Sequence, residues 1–378
     1  MKPASFLKSR DNCLKNLLIC RMFIVDAHLD LSMNAMEWNR DLKLPVSRIR
    51  EREKGLNDKP DRGKNTVSLP ALREGKVGLV VATQIARYVR EGSPLPGWHS
   101  PEQAWAQSQA QLGWYRAMTD AGEMTPVTDL KSLELQVVKW EDESATQETK
   151  SIGFILSLEG ADSLVNLKYL EKAYGYGLRA LGPAHYGEGR YAGGTGTEDG
   201  FSAMGKELLK QMDSLNMILD ITHLTDLGFS QAMEIYKGPV WASHHNCRSL
   251  VKYQRQLTDD QIRILISRGA VIGGVMDAWM LTDGWIRGVS LPKAMGVNLE
   301  RLIDHYDHIC QIAGNPDHIA IGSDLDGAFG TEQSPYDLDT IADLQNLPGL
   351  LSRRGYREED IQKILHGNWL RFLRKAWN

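Results

Sequence analysis

A single parallel (β/α)8 barrel, the TIM-barrel class, is predicted by three observations: eight short apolar runs rich in β-branched residues, helical patterning between them, and a chain of 378 residues. The runs fall at 23–28, 77–86, 151–159, 177–185, 217–223, 239–244, 270–276 and 318–324. Eight parallel strands close a barrel, and such barrels use about 250 residues before insertions. A doubly wound open sheet of the same elements is the runner-up.

In chain order, residues 1–21 carry basic groups and a short apolar patch that Lys and Asp interrupt. They read as a loose extension ahead of one catalytic domain over 22–378. Met22 stands directly before the first strand and is an alternative start. The polar stretch from Arg48 to Asn65 reads as a long loop near the barrel mouth, with charges of the kind usually found solvated. Further on, PEQAWAQSQAQLGWYRAM, FSAMGKELLKQMDSL, TDLGFSQAMEIYK, TDDQIRILISRG and LERLIDHYDHICQIAG place apolar residues at helical spacing. Thr258 and Gly269 punctuate the fourth of these as N-cap and stop. REEDIQKILHGNWLRFLRKAW closes the chain as an amphipathic helix. No repeat, low-complexity tract or Pro/Gly linker divides the domain.

Hydrophobic residues make up 42% and charged residues 24% of the chain, the balance of a soluble globular protein. A net charge of −4 offers no general attraction for nucleic acid, so the expected partner is a small molecule. No stretch approaches the roughly 20 apolar residues of a membrane span. Cys13, Cys20, Cys247 and Cys310 form neither a zinc-ribbon spacing nor a disulfide framework. The expectation is a cytoplasmic protein with reduced thiols.

Working residues of such a barrel sit at the C-terminal ends of its strands. The first run ends in His28 and Asp30, which alternate onto one face. The third ends in Glu159, the fourth in His185, the fifth in His223, the sixth in His244 and the eighth in Asp324. One such histidine is most often structural, but this convergence of ionisable groups needs partners or a metal. His, Asp and Glu without Cys suit zinc or a similar divalent ion. The donors exceed what one open tetrahedral zinc takes, which points to two ions with a bridging carboxylate and hydroxide-driven attack on a carbonyl or phosphoryl centre.

The motifs DAHLD, SLEGAD, GLRALGPAH, DITHLT, ASHHNCRSL and GSDLDG, in this order from about Phe23 to ILHGNWLRFL, resemble the membrane (renal-type) dipeptidase family, zinc dipeptidases of the amidohydrolase superfamily. The resemblance implies two Zn2+ per subunit, one held by His28 and Asp30, the other by His223 and His244, with Glu159 bridging. It also implies proton exchange by Asp324, steadying of the carbonyl oxygen by His185, capture of a dipeptide's carboxylate by Arg255, and a homodimer. Gly182-Pro183-Ala184 before His185 departs from the family's hydroxyl-bearing Thr-Leu-Thr.

Around these residues, Asp326 reads as a supporting or turn residue, and Asp277 is placed to hold a substrate amine or basic side chain. His245 should point away from the metals, and His305 and His308 lie on an outer helix. Cys247 lacks a second thiol, and GEGRYAGGTGTEDG at 187–200 is a mobile rim loop rather than a phosphate loop. The expected function is hydrolysis of dipeptides, L,L with L,D as an open option. Alternatives are a metal-dependent barrel acting on lactones, N-acyl amino acids or phosphoesters, and a metal-retaining binding protein without turnover.

Overall fold

The computed structural model describes residues 23–142 and 144–378. All eight expected strands form and run parallel. They are β1 (Ile24–Leu29), β2 (Val77–Ile85), β4 (Ile152–Glu159), β5 (Leu178–Gly182), β6 (Ile218–Asp220), β7 (Val240–Trp241), β8 (Ile272–Gly274) and β9 (Ile319–Ile321). β3 (Met124–Pro126) is a ninth strand outside this ring, pairing with residues 152–154 of β4.

The ladder runs β7-β6-β5-β4-β2-β1-β9-β8. A bridge between Ala242 and Ile272 joins its two ends, with Gly273 N donating to Ala242 O at 2.8 Å, so the ring closes as a (β/α)8 barrel. Strands buried on both faces need continuous apolar sequence. Val80, Ile155, Leu181, Leu219, Ile272 and Ile321 accordingly have no exposed surface.

The intervening helices sit where apolar spacing and caps put them. Ser100 accepts from Gln103 N at the start of Pro101–Asp120, and Thr258 forms a capping box with Gln261 ahead of Asp259–Ser267. The closing segment is not one uniform helix: a π-helical turn at Lys363–Gly367 separates Glu358–Gln362 from Asn368–Ala376. Asn368 Nδ2 reaches Ile319 O (2.8 Å) and Trp369 Nε1 reaches Ile321 O (2.9 Å), which ties this segment to β9.

The stretch from Arg48 to Asn65 also differs from a solvated loop. Val46–Arg52 is helical, and Glu53 and Asp61 are buried. Composition shows the charges but not their pairing: Arg40, itself buried, donates to Glu53 Oε1 (2.9 Å) and Asp61 Oδ2 (2.9 Å). Buried charges persist only when partnered in this way.

Cys247 and Cys310 are free thiols, whereas Cys13, Cys20, Met22 and the expected extension lie outside the described residues. Among the described residues, no helix is long and apolar enough to cross a membrane.

Candidate metal centre

The C-terminal ends of β1, β4, β5, β6, β7 and β9 converge on one point. Glu159, the last residue of β4, lies at its middle, with Oε1 at 3.2 Å from His223 Nε2 and 3.6 Å from both His28 Nε2 and His244 Nε2. His28 Nε2 is also 3.8 Å from Asp30 Oδ1 and 3.7 Å from Asp324 Oδ1. Three overlapping groups have ligand atoms close enough for a metal: His28, Asp30 and Glu159; His28, His244 and Asp324; Glu159, His185 and His223. The seven side chains drawn from the strand ends are therefore brought together.

The local backbone explains how such short strands aim these groups. Asp26 Oδ1 accepts from His28 N (3.2 Å) and from Ser323 N (2.9 Å), which staples the end of β1 to the turn carrying Asp324. Across the barrel, Asp220 Oδ1 does the same for Thr222 N and Ser243 N, both at 3.1 Å, beside His223 and His244. His223 (φ 68°) and Asp324 (φ 58°) adopt left-handed backbone, uncommon for residues with a side chain and a recurrent mark of functional turns.

Electrostatics make the cluster incomplete as a purely protein assembly. Burial, then Asp30 and Asp220, holds the Glu159 carboxyl well above its usual range; burial, then Asp30, Glu159 and Asp277, does the same for Asp324. Burial raises Asp30 to about 6 and lowers His28 to about 3. His223 and His244 are also pushed well down, chiefly by burial. His28 Nε2 is buried without a hydrogen-bond partner. Deprotonated imidazoles facing crowded carboxylates, with an orphaned ring nitrogen between them, fit divalent cations, whose charge reverses the pressure on the carboxylates.

A cavity of about 220 Å³ opens onto this cluster, lined also by Arg87, Tyr186, Arg255, Asp277, Trp279 and Arg287. Arg255 is buried and held by His244 O (2.9 Å), and its Nε has no partner. His245 backs this guanidinium at 3.1 Å from Nη1, so it stands behind Arg255 rather than in the cluster around Glu159. Asp277 faces the cavity, accepting from Gln333 Nε2 (2.8 Å) and Trp279 Nε1 (2.7 Å).

The chain matches the family model "Membrane dipeptidase (Peptidase family M19)" over residues 15–378. It belongs to the membrane dipeptidase family. Membership places it among metal-dependent hydrolases that act on dipeptides. An uncharacterized protein in the pqqA 5′ region of Klebsiella pneumoniae is 30% identical over 61% of this chain and 84% of its own length. Rat dipeptidase 3 is 26% identical over 64% of this chain, and the match spans about half of that protein, 48%. The fold is also that of dipeptidase AC, a family M19 metallopeptidase, with a TM-score of 0.73, 23% identity and coverage of 94% and 99% of the two chains. A Rhodobacter sphaeroides metallopeptidase liganded with a phosphinate mimic of L-Ala-D-Ala superposes equally well, with a TM-score of 0.73, 21% identity and coverage of 94% and 100%.

Asp326 turns away from the cavity: its carboxylate accepts from Thr66 N (2.6 Å), Thr66 Oγ1 (2.7 Å) and Val67 N (3.0 Å). His305 is a buried acceptor for Cys247 N (3.1 Å), and His308 pairs with Asp259 (2.8 Å). The 187–200 loop folds back on the site through bridges between Tyr186 and Thr195 and between Glu188 and Gly193. Sequence reasoning passed over Arg87 and Tyr186. The signal for Arg87 was available, because it stands two residues past the end of β2, where the strand-end rule applies.

Proposed function

We propose that the cluster holds two divalent ions, zinc in the cell, with His28 and Asp30 on one, His223 and His244 on the other, and Glu159 shared. On this reading residues 22–378 form one catalytic domain that cleaves the amide bond of dipeptides in the cytoplasm, with L,L and L,D substrates both admitted. The observation that carries it is the placement of three imidazole Nε2 atoms within 3.2–3.6 Å of one Glu159 oxygen, at the floor of a cavity that Arg255 also lines. The L-Ala-D-Ala mimic bound by the Rhodobacter sphaeroides relative supports including L,D substrates.

When bound, the ions supply Lewis acidity, lowering the pKa of water and polarising a carbonyl. Asp324 takes the proton of the attacking water and returns it to the leaving amine, a task for a carboxyl tuned towards neutrality. His185 donates to the carbonyl oxygen as it gains charge. Arg255 grips the substrate carboxylate through its free edge, for which a planar guanidinium suits a bidentate contact. Asp277 meets the substrate amine or a basic side chain.

The test is amine release from a panel of L,L and L,D dipeptides by zinc-loaded protein, beside a chelated sample and Asp324→Asn. Turnover is expected in the loaded protein and its loss in both controls. A loaded protein inert across the panel would remove the dipeptide assignment and turn attention to lactones, N-acyl amino acids and phosphoesters.

A further inference from the structure

The histidines around Glu159 do not share the same backing. His223 Nδ1 lies 2.9 Å from Thr195 Oγ1, and His244 Nδ1 lies 2.9 Å from Ser243 Oγ. A hydroxyl can accept an imidazole N–H, which leaves the Nε2 lone pair free for a metal. His185 Nδ1 instead meets Arg87 Nη2 at 2.5 Å. A guanidinium has donors only and stays charged, so His185 Nδ1 must accept and the single ring proton must sit on Nε2. That Nε2 lies 3.9 Å from Glu159 Oε2, and His185 lines the cavity.

Both partners of this contact are fixed from behind. Arg87 Nη1 donates to Pro96 O at 2.9 Å. The His185 carbonyl accepts from Thr195 N at 2.8 Å. Gly194 packs so closely there that a Cβ would come within 1.9 Å of that oxygen. The Arg87 contact thus faces a ring carried on a tightly held stretch of backbone.

We propose that Arg87 is a positioning residue that fixes His185 as its Nε2–H tautomer, so that His185 donates to the substrate carbonyl and is withheld from the metals as a fourth imidazole ligand. Proximity alone groups His185 with Glu159 and His223 as a candidate ligand. The identity of the Nδ1 partner separates it from His223 and His244. A protonated Nε2 has no lone pair for a cation but is the donor a developing oxyanion requires.

The inference rests on the reading that His185 faces the scissile carbonyl, but the tautomer is measurable without turnover. The full-length, zinc-loaded protein labelled with nitrogen-15 histidine would be observed by long-range proton–nitrogen correlation, with the His185 ring assigned by its loss in His185→Gln. A proton on Nε2 and a bare Nδ1 are expected. In Arg87→Met, which removes the donor at similar length, both tautomers are expected; kcat should fall roughly 10–100-fold with KM little changed and metal content intact. Arg87→Lys keeps a donor and should recover most of the rate. A wild-type ring protonated on Nδ1 would overturn the proposal, and so would Arg87→Met with wild-type tautomer and rate. If Arg87→Met does not fold, the wild-type spectrum decides by itself. A protein that cleaves no dipeptide yet shows the Nε2–H ring would lose the dipeptide reading and keep Arg87's role.

Discussion

Replacing Asp326 with alanine should cost more stability than any role in a solvated turn would allow. Its carboxylate is buried and accepts from two backbone amides and one hydroxyl of the Thr66–Val67 segment, while Arg40 Nη1 stands 3.8 Å away. Each buried amide left without a partner costs roughly 1–3 kcal/mol, and breaking a buried charge pair costs roughly 3–5 kcal/mol. These overlap rather than add, so about 3–5 kcal/mol is expected for Asp326→Ala. Asp326→Asn keeps the oxygen facing Thr66 but turns an amide N–H2 against Val67 N, and should cost about 1–3 kcal/mol. Urea unfolding of both variants, compared at unchanged m-value, is the assay. Because Asp324 and Asp326 share one left-handed turn (φ 58° and 63°), kcat should fall alongside stability. An alanine variant within about 0.5 kcal/mol of wild type, the range of surface substitutions, would refute this account of Asp326.

Two other outcomes are expected. Thr195→Val removes the hydroxyl beside His223 Nδ1, and competition titration with a chelator should show metal affinity weakened roughly 10–100-fold, whereas unchanged affinity would disconnect the 187–200 loop from the site. Burial lifts the Asp277 carboxyl to about 7 against opposing help from Gln333, Arg287 and Trp279. Because the carboxylate forms above that value, KM for dipeptides with a basic side chain should improve as pH rises through 7, and Asp277→Asn should flatten the trend; an identical KM profile in the variant would exclude Asp277 from substrate contact.

Much of the architecture was legible because parallel strands buried on both faces must be largely apolar, and all eight runs are, with Asp26, Arg179 and Asp220 as the charged exceptions inside β1, β5 and β6 besides the site residues His28 and Glu159. The site was legible for a related reason: one His, Asp or Glu where an apolar run stops is most often structural, but seven at the same end of six runs need partners or a metal. What escaped was set by contacts distant in sequence. β3 is three residues long and carries no period to detect. Glu53 and Asp61 resembled a solvated charge run because nothing local reveals that Arg40 sits between them in the core. Asp326 could be placed in a turn, but not its grip on Thr66, 260 residues away. The left-handed backbone of His223 and Asp324 has no glycine to announce it.

The barrel's ladder is uneven. β1, β2, β4 and β5 span six, nine, eight and five residues, whereas β6, β7, β8 and β9 span three, two, three and three. One arc is a well-knit sheet and the other is stitched by a few bonds, closing at β7 and β8 through a single bridge. His28, Asp30 and Glu159 belong to the first arc; His223, His244 and Asp324 belong to the second. A cation gripped by both would act as a clasp across the two arcs, drawing part of its binding energy into keeping the cylinder shut. Cofactor loss in such a molecule would be a mechanical event as well as a chemical one, felt first as breathing of the thinly stitched arc.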